Sequence, residues 1–169
     1  MIFSLCITKK RLDRIKLAII TPEATSSTIL GNWYATVLFW KPQLALLVNE
    51  QTLLPVLMSL APVSTLAARF PQQLALVLSA HSIAQDFIDN ELAQMSDVQF
   101  AKTLNRSIVG IMNQFSYLAE GYRDYLETND LLALSLKLSE TPCSPLYKGA
   151  VSPHRELKRV IDCWNIKGI

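Results

Sequence analysis

The chain contains no hydrophobic run long enough to cross a membrane. Residues 44–48 are apolar but are followed at once by three polar residues, and residues 53–63 are interrupted by two prolines and a serine. A spanning helix needs about 20 consecutive, mostly apolar residues. Although 50% of the 169 residues are hydrophobic, the sequence therefore predicts a large buried core and no membrane partner.

Cysteine and histidine are scarce. The three cysteines, Cys6, Cys143 and Cys163, form no CxxC pair, and the two histidines, His81 and His154, stand far apart in the sequence. This spacing excludes a zinc-finger type of site and a disulfide framework. An acidic cluster on one predicted helix lacks the glycine and the spacing of a calcium loop. We therefore predict no metal and no other cofactor.

The thiols and the first residues both indicate a cellular compartment. Three unpaired cysteines are typical of the reducing cytoplasm. The first seven residues are apolar and precede a basic run, which is the reverse of the order in a secretory signal peptide. We expect a cytoplasmic protein.

Recognisable catalytic signatures are also missing. The sequence has no G-x-S-x-G, no P-loop and no dinucleotide-binding fingerprint, and no histidine stands in a recognisable frame with a serine or cysteine. We assign no catalytic residue, and the sequence favours a protein that is not an enzyme. Its length and its lack of repeats or low-complexity tracts predict a single domain over residues 1–169.

Charge is unevenly spread along the chain, whose formal net charge is +2. Residues 1–16 hold five basic residues and one acid, whereas the stretch from there to residue 101 holds two basic residues and six acids. Four of the first basic side chains could contact nucleic-acid phosphates or form a solvated helix face: Lys9, Lys10, Arg11 and Arg14. The chain lacks the broad basic surface of a dedicated nucleic-acid-binding protein.

Hydrophobic periodicity predicts an α+β fold. Residues 33–40, rich in aromatic and β-branched side chains, begin a predicted meander of three antiparallel strands that continues through residues 44–48 and 53–58. The other predicted strands are residues 3–8 and 98–102, and the predicted helices are residues 9–16, 62–82 (divided at Pro71), 84–93, 107–126 and 154–164. We expect an antiparallel sheet of about three to five strands with helices packed on one face.

Both faces of the first meander strand are apolar. Alternation places Trp33 and Val37 on one face, and Tyr34 and Trp40 on the other. We expect helices to cover one face, and the C-terminal segment or a second subunit to cover the other. Self-association is therefore one of the expected interactions.

The predicted helix at residues 107–126 carries two different stripes. An apolar stripe at helical spacing predicts the side that faces the core: Ile108, Ile111, Met112, Phe115, Leu118, Ala119 and Tyr122. Arg106, Gly110 and Asn113 fall together on the opposite side, in line with Tyr117 and Asp124. A helix that only completes a core needs the first stripe alone.

The second stripe, with Lys102 and Asn105 just before it, is the candidate ligand-binding site. Arg106 offers a planar fork for a phosphate or carboxylate, Asn113 offers a donor and an acceptor, and Gly110 lets a ligand approach the backbone. Free backbone N–H groups at a helix start favour an anion. In the structural alternative, Gly110 permits close packing of a neighbouring element, while Arg106 and Asn113 hold loop carbonyls.

Several motifs resemble those of an uncharacterised bacterial domain-of-unknown-function family. The matching segments are Thr8-Lys9-Lys10, Trp33 with Ala35, Asn49-Glu50 with Thr52, residues 102–113 (KTLNRSIVGIMN) and residues 136–145 (LKLSETPCSP). The family's block is similar to K-T-x-N-R-S-V-L-G-S-M-N-D, and Gln114 stands where that block ends in an acid. The resemblance covers nearly the whole chain and implies no activity. The missing acid argues against catalysis at this block.

Three functions follow from these observations as hypotheses. The leading one is a non-enzymatic, cytoplasmic binding or protein-interaction module of unknown partner, with an anion site at the start of the helix at residues 107–126. The second is a nucleic-acid-associated regulator, of the antitoxin-like or phage-defence accessory kind, that uses residues 9–16. The third is an enzyme acting on an anionic small molecule, which requires an open pocket lined by Arg106, Asn113 and an acid.

Overall fold

The computed structural model describes residues 2–7, 26–102 and 105–168. These residues form five strands and five α-helices: β1 (Ile2–Ile7), β2 (Trp33–Leu38), β3 (Leu44–Asn49), β4 (Pro55–Ser59), α1 (Leu66–Ala80), α2 (Gln85–Ala93), β5 (Asp97–Lys102), α3 (Arg106–Leu126), α4 (Leu131–Ser139) and α5 (Pro153–Lys167). No helix in these ranges is long and apolar enough to span a bilayer. The predicted helix at residues 9–16 lies outside the described residues.

The five strands form one mixed sheet in the order β4-β3-β2-β1-β5. The antiparallel meander of β2, β3 and β4 is confirmed, as is the α+β class. The expectation of a wholly antiparallel sheet is wrong, because β1 runs parallel to both β2 and β5. Parallel neighbours need a crossover of about a dozen residues or more, and residues 8–32, between β1 and β2, are long enough to provide one.

Helices cover both faces of the sheet, so the expectation of helices on one face is wrong. Trp33, Ala35 and Val37 of β2 belong to a core built with α1, α2 and α5. Tyr34 and Leu38 of the same strand belong to a second core, built with α3 and α4. An apolar sheet face left in water would forfeit the free energy of burial. The chain's own helices prevent this on both faces without a second subunit.

The predicted division of the first central helix at Pro71 is also wrong, because α1 is continuous through this residue. Pro71 has no N–H to donate to the carbonyl of Ala67, so the helix loses one hydrogen bond. Phe70 and Leu74 are fully buried, and the Phe70 ring packs edge-on against Trp33 with ring centroids 4.9 Å apart. Burial of this stripe offsets the missing hydrogen bond.

The edge of the sheet at β4 is covered by α4. Asp130 caps α4 by accepting hydrogen bonds from the Leu132 N–H at 3.0 Å and the Ala133 N–H at 3.3 Å. One turn later, the Ser135 hydroxyl oxygen accepts a hydrogen bond from the Leu57 N–H of β4 at 2.9 Å. Unpaired N–H groups on an edge strand invite pairing with another chain. The contact with Ser135 therefore opposes strand pairing at this edge.

The Asn49 side chain, at the end of β3, joins the turn before β4 to the segment before β2. Its Nδ2 donates to the carbonyl oxygens of Leu30 at 2.8 Å and of Asn32 at 3.3 Å. Its Oδ1 accepts hydrogen bonds from the Gln51 N–H at 3.1 Å, the Thr52 N–H at 2.9 Å and the Thr52 hydroxyl at 3.0 Å. Asn49 and Thr52 are fully buried, so these bonds satisfy polar groups that water cannot reach.

Glu91 ties the same segment to α2. Its fully buried carboxylate accepts hydrogen bonds from the Ile29 N–H at 2.8 Å and the Leu30 N–H at 3.1 Å. Burial raises the pKa of Glu91 to about 7, and the two hydrogen bonds oppose this shift only in part. At the end of α1, burial and the nearby His154 lower the pKa of His81 to about 4.

These two shifts predict opposing pH dependences of stability. The contribution of Glu91 is complete below its ordinary pKa of 4.5 and is lost as the pH rises through about 7. The contribution of His81 is complete above its ordinary pKa of 6.5 and is lost as the pH falls through about 4. In the natural chain the two slopes oppose each other between pH 4.5 and 6.5.

We expect His81→Gln to expose the slope that Glu91 causes. The free energy of unfolding of this variant, measured by urea denaturation, should fall by on the order of 2 kcal/mol between pH 5 and pH 8. Glu91→Gln is the matched control and should instead lose stability as the pH falls from 7 to 5. A His81→Gln variant that is equally stable at pH 5 and pH 8 would contradict the assignment.

Candidate functional site

The start of α3 is closed by its own cap. The Asn105 Oδ1 accepts hydrogen bonds from the Ser107 N–H at 3.0 Å and the Ile108 N–H at 3.3 Å. Asn105 is thus the N-cap residue of α3. An anion at this end would therefore have to compete with Asn105 for two of the first amide donors. The anion site predicted here stays a prediction.

The two predicted stripes of α3 are separated as expected. Five of the seven residues of the apolar stripe are buried, and Leu118 and Tyr122 are partly buried against the same core. Arg106, Gly110 and Asn113 are exposed. Among the described residues, none hydrogen-bonds to the side chain of Arg106 or Asn113, and none lies within 4 Å of a Cβ placed on Gly110. The alternative in which Gly110 permits close packing is therefore wrong for the described part of the chain.

The other predicted site residues lie apart from this stripe or outside the described structure. Lys102 ends β5, where its backbone is paired with Ile7 of β1. The basic residues proposed for nucleic-acid binding lie outside the described residues, so that role stays a prediction: Lys9, Lys10, Arg11 and Arg14.

A groove runs between α3 and the end of β2. Its volume is about 310 Å³, and it is lined by Thr36, Val37, Leu38, Phe39, Trp40, Asn113, Ser116, Tyr117 and Glu120. Asn113 and the acid Glu120 therefore meet at one opening, while Arg106 is not among the lining residues. The enzyme hypothesis requires all three at one pocket, and the structure brings together two of them.

A second groove continues along α3 from the first, sharing Tyr117 and Glu120 with it. We call it the tyrosine groove; its volume is about 450 Å³, and its lining residues are Tyr117, Leu118, Glu120, Gly121, Tyr122, Asp124 and Tyr125. Tyr117, Gly121 and Tyr125 follow one another at intervals of four residues, so they lie along the same side of the helix. A bare stretch of helix backbone at Gly121 therefore separates two tyrosine rings.

Both tyrosines of the groove are highly exposed. Tyr117 is 79% and Tyr125 is 83% accessible to solvent. Helical spacing predicted Tyr117 as part of the polar stripe, whereas Gly121 and Tyr125 were not predicted as site residues. Their signal was the four-residue spacing of Tyr, Gly and Tyr, which runs from the polar stripe toward the border of the apolar stripe.

Two cations on this surface already lie over aromatic rings. The Arg123 guanidinium is 4.3 Å from the centroid of the Trp40 ring, and its Nε is 3.4 Å from an oxygen of Asp124. The Lys137 ammonium is 5.9 Å from the centroid of the Tyr122 ring and pairs with Glu140. Cation–π attraction of this kind is therefore part of how the surface is built.

The contacts of His154 do not form a serine–histidine catalytic pair. The His154 Nδ1 is 3.1 Å from both the Ser139 carbonyl oxygen and the Ser152 hydroxyl. A carbonyl oxygen can only accept, so Nδ1 carries the proton and cannot take one from Ser152. Ser152 is also buried. Among the described residues, no three His, Cys, Asp or Glu side chains are grouped so as to hold a metal ion.

Comparison with known proteins yields one family. A family model described as a domain of unknown function, DUF6933, matches residues 4–156, which is more than half of the chain. This match confirms the resemblance to an uncharacterised family. No curated protein and no solved structure matches the chain.

We expect Gly110→Ala to stabilise the protein by about 0.5–1 kcal/mol, because glycine is costly inside a helix and the added methyl group meets no described atom. The control is Gly31→Ala. Gly31 has a φ of +76°, and a Cβ there would lie 2.9 Å from the Gln51 Nε2, so this variant should lose stability. Urea denaturation measures the free energy of unfolding of both variants. A destabilised Gly110→Ala variant would show that a segment packs on this glycine.

Proposed function

The chain belongs to this family of unknown function, and we propose that it is a cytoplasmic, non-enzymatic protein-interaction module. The proposed docking surface is the exposed side of α3 along the tyrosine groove. The observation that carries the proposal is the exposure of Tyr117 and Tyr125 at either end of one groove. Tyrosine is enriched among the residues that dominate the binding energy of protein interfaces.

The positions of the exposed large hydrophobic side chains favour this surface over the rest of the described surface as the docking site. Leu76, Tyr147 and Ile166 are exposed singly on other elements, which is normal for a protein surface. By contrast, Tyr117 lines the first groove, and Tyr117 and Tyr125 line the next. Together the two grooves give one continuous surface on which a partner could bury several rings.

The glycines of α3 also support a binding role. Gly110 and Gly121 both lie inside the helix, where glycine costs about 1 kcal/mol relative to alanine. No described residue lies within 4 Å of a Cβ placed at either position, so packing does not require them. A missing side chain at Gly121 does, however, keep the floor of the tyrosine groove open. Local departures from good helix-forming sequence are expected where function requires them.

The cysteines support the proposed compartment, and residues nearer the start of α3 extend the proposed surface. All three cysteines are free, and Cys163 is exposed, which is compatible with a reducing compartment. Asn113 lies on the wall of the first groove. Arg106 and Gly110 extend the exposed side of α3 toward its start, where the partner could also present an acid to Arg106.

The experiment is a selection of binders from a random peptide-display library against the natural chain. We expect the enriched peptides to lose at least tenfold in affinity for a Tyr117→Ala, Tyr125→Ala double variant, because these two lining rings are the most exposed large hydrophobic side chains of the described residues. Fluorescence polarisation of the labelled peptides measures the affinity.

Tyr147→Ala is the matched control, since Tyr147 is also an exposed tyrosine, at 59%, but lies outside the groove. This variant should bind the selected peptides as the natural chain does. Thermal unfolding of all variants verifies that they are folded. Selected peptides that bind the double variant as tightly as the natural chain, or a selection that enriches none, would show that this surface is not a docking site.

A further inference from the structure

We propose that the occupant of the tyrosine groove is a basic segment of a partner protein, with an arginine or lysine side chain held between Tyr117 and Tyr125 above Gly121. This inference rests on the proposed function and adds the chemical class of the partner.

The charge of the groove indicates a cationic occupant. The described residues that line it include the two acids Glu120 and Asp124 and no lysine or arginine. The Glu120 carboxylate has no hydrogen bond or ion pair with any described residue. Asp124 contacts Arg123, but the Asp124 side chain remains 71% exposed and the Arg123 guanidinium lies over Trp40. Glu120 in particular is left for a cation that the described residues do not supply.

The rings support the same class of ligand. A cation over the face of a tyrosine ring gains about 0.5–1 kcal/mol at an exposed site and more when water is excluded. On this surface, the partly buried Trp40 and Tyr122 each have a cation of the chain nearby. No described cation lies over Tyr117 or Tyr125, so these two rings are open to a cation from a partner.

The dimensions of the tyrosine groove fit an extended peptide better than a small ion. Tyr117 and Tyr125 are eight residues apart, which corresponds to about 12 Å along a helix. The groove has a volume of about 450 Å³, and its described lining residues all belong to α3, so its occupant would lie across the surface of this helix. A peptide could therefore cross the helix above Gly121 and place one long side chain between the rings and the two carboxylates.

The same charges disfavour a second copy of the chain as the occupant. In a two-fold symmetric contact each surface patch meets its own copy. Glu120 and Asp124 would then face the acids of the other copy, and like charges across an interface are unfavourable. A basic segment of another protein meets no such repulsion.

The probe is a labelled nonapeptide of glycine and serine that carries three arginines, compared with the same peptide carrying three citrullines. Citrulline keeps the shape of arginine but has no charge. We expect the arginine peptide to bind at least tenfold more tightly by fluorescence polarisation, and Glu120→Gln to weaken its binding at least threefold. Gly121→Leu, which fills the floor of the groove with a good helix former, should weaken binding at least tenfold.

Asp86→Asn is the matched control for Glu120→Gln, because it removes an exposed acid from α2 on the opposite side of the sheet. It should leave the affinity for the arginine peptide unchanged. The proposal would be overturned if the citrulline peptide bound as tightly as the arginine peptide. It would also be overturned if Asp86→Asn and Glu120→Gln lost the same affinity for the arginine peptide.

The two proposals fail in different ways. If display selection yields peptides that depend on Tyr117 and Tyr125 but contain no enriched arginine or lysine, the docking surface stands and its basic occupant is wrong. If sedimentation velocity shows a dimer that the Tyr117→Ala, Tyr125→Ala variant dissociates, a second copy is the occupant and the basic segment is again wrong. If no binder depends on these tyrosines, both proposals are wrong.

Discussion

The constraint on which the structure depends is a sheet that is apolar on both faces. β2, β3 and β4 direct large apolar side chains to either side, so water must be excluded from both. α1, α2 and α5 meet this requirement on one face, and α3 and α4 meet it on the other. Because α3 is the outer layer of its face, only one of its sides can be buried. Its other side is thereby left to carry the two grooves.

Buried polar groups then determine how the segment before β2 is held. Asn49 and Glu91 reach it from β3 and α2, and between them they satisfy two carbonyl and two N–H groups of its backbone. Glu50 adds hydrogen bonds to the Asn32 Nδ2 and the Tyr34 hydroxyl. The Asn49-Glu50-x-Thr52 motif, which resembles a family signature, is thus explained by the turn that it stabilises. It gives no indication of a ligand.

Local patterns predicted the elements well where their physical cause was local. Side-chain alternation predicts the meander and β5, which ends at Lys102. Helical spacing predicts α3, and capping chemistry explains its start at Asn105. The continuity of α1 through Pro71 was missed because the burial of Phe70 and Leu74 outweighs a local rule. The parallel pairing of β1 was missed because a crossover leaves no local signal in a strand.

The order of residues along the chain is enough to give α3 one apolar side and one side of small, polar and aromatic residues, since a helix fixes the direction of each side chain by its spacing. What surrounds the second side depends on how the elements pack together. It placed Tyr117, Glu120 and Asn113 beside the end of β2, left Arg106 away from both grooves, and put no described residue over Gly110 or Gly121. The first groove arises from the relative position of α3 and the end of β2, and that position is fixed by the packing of the core that they share.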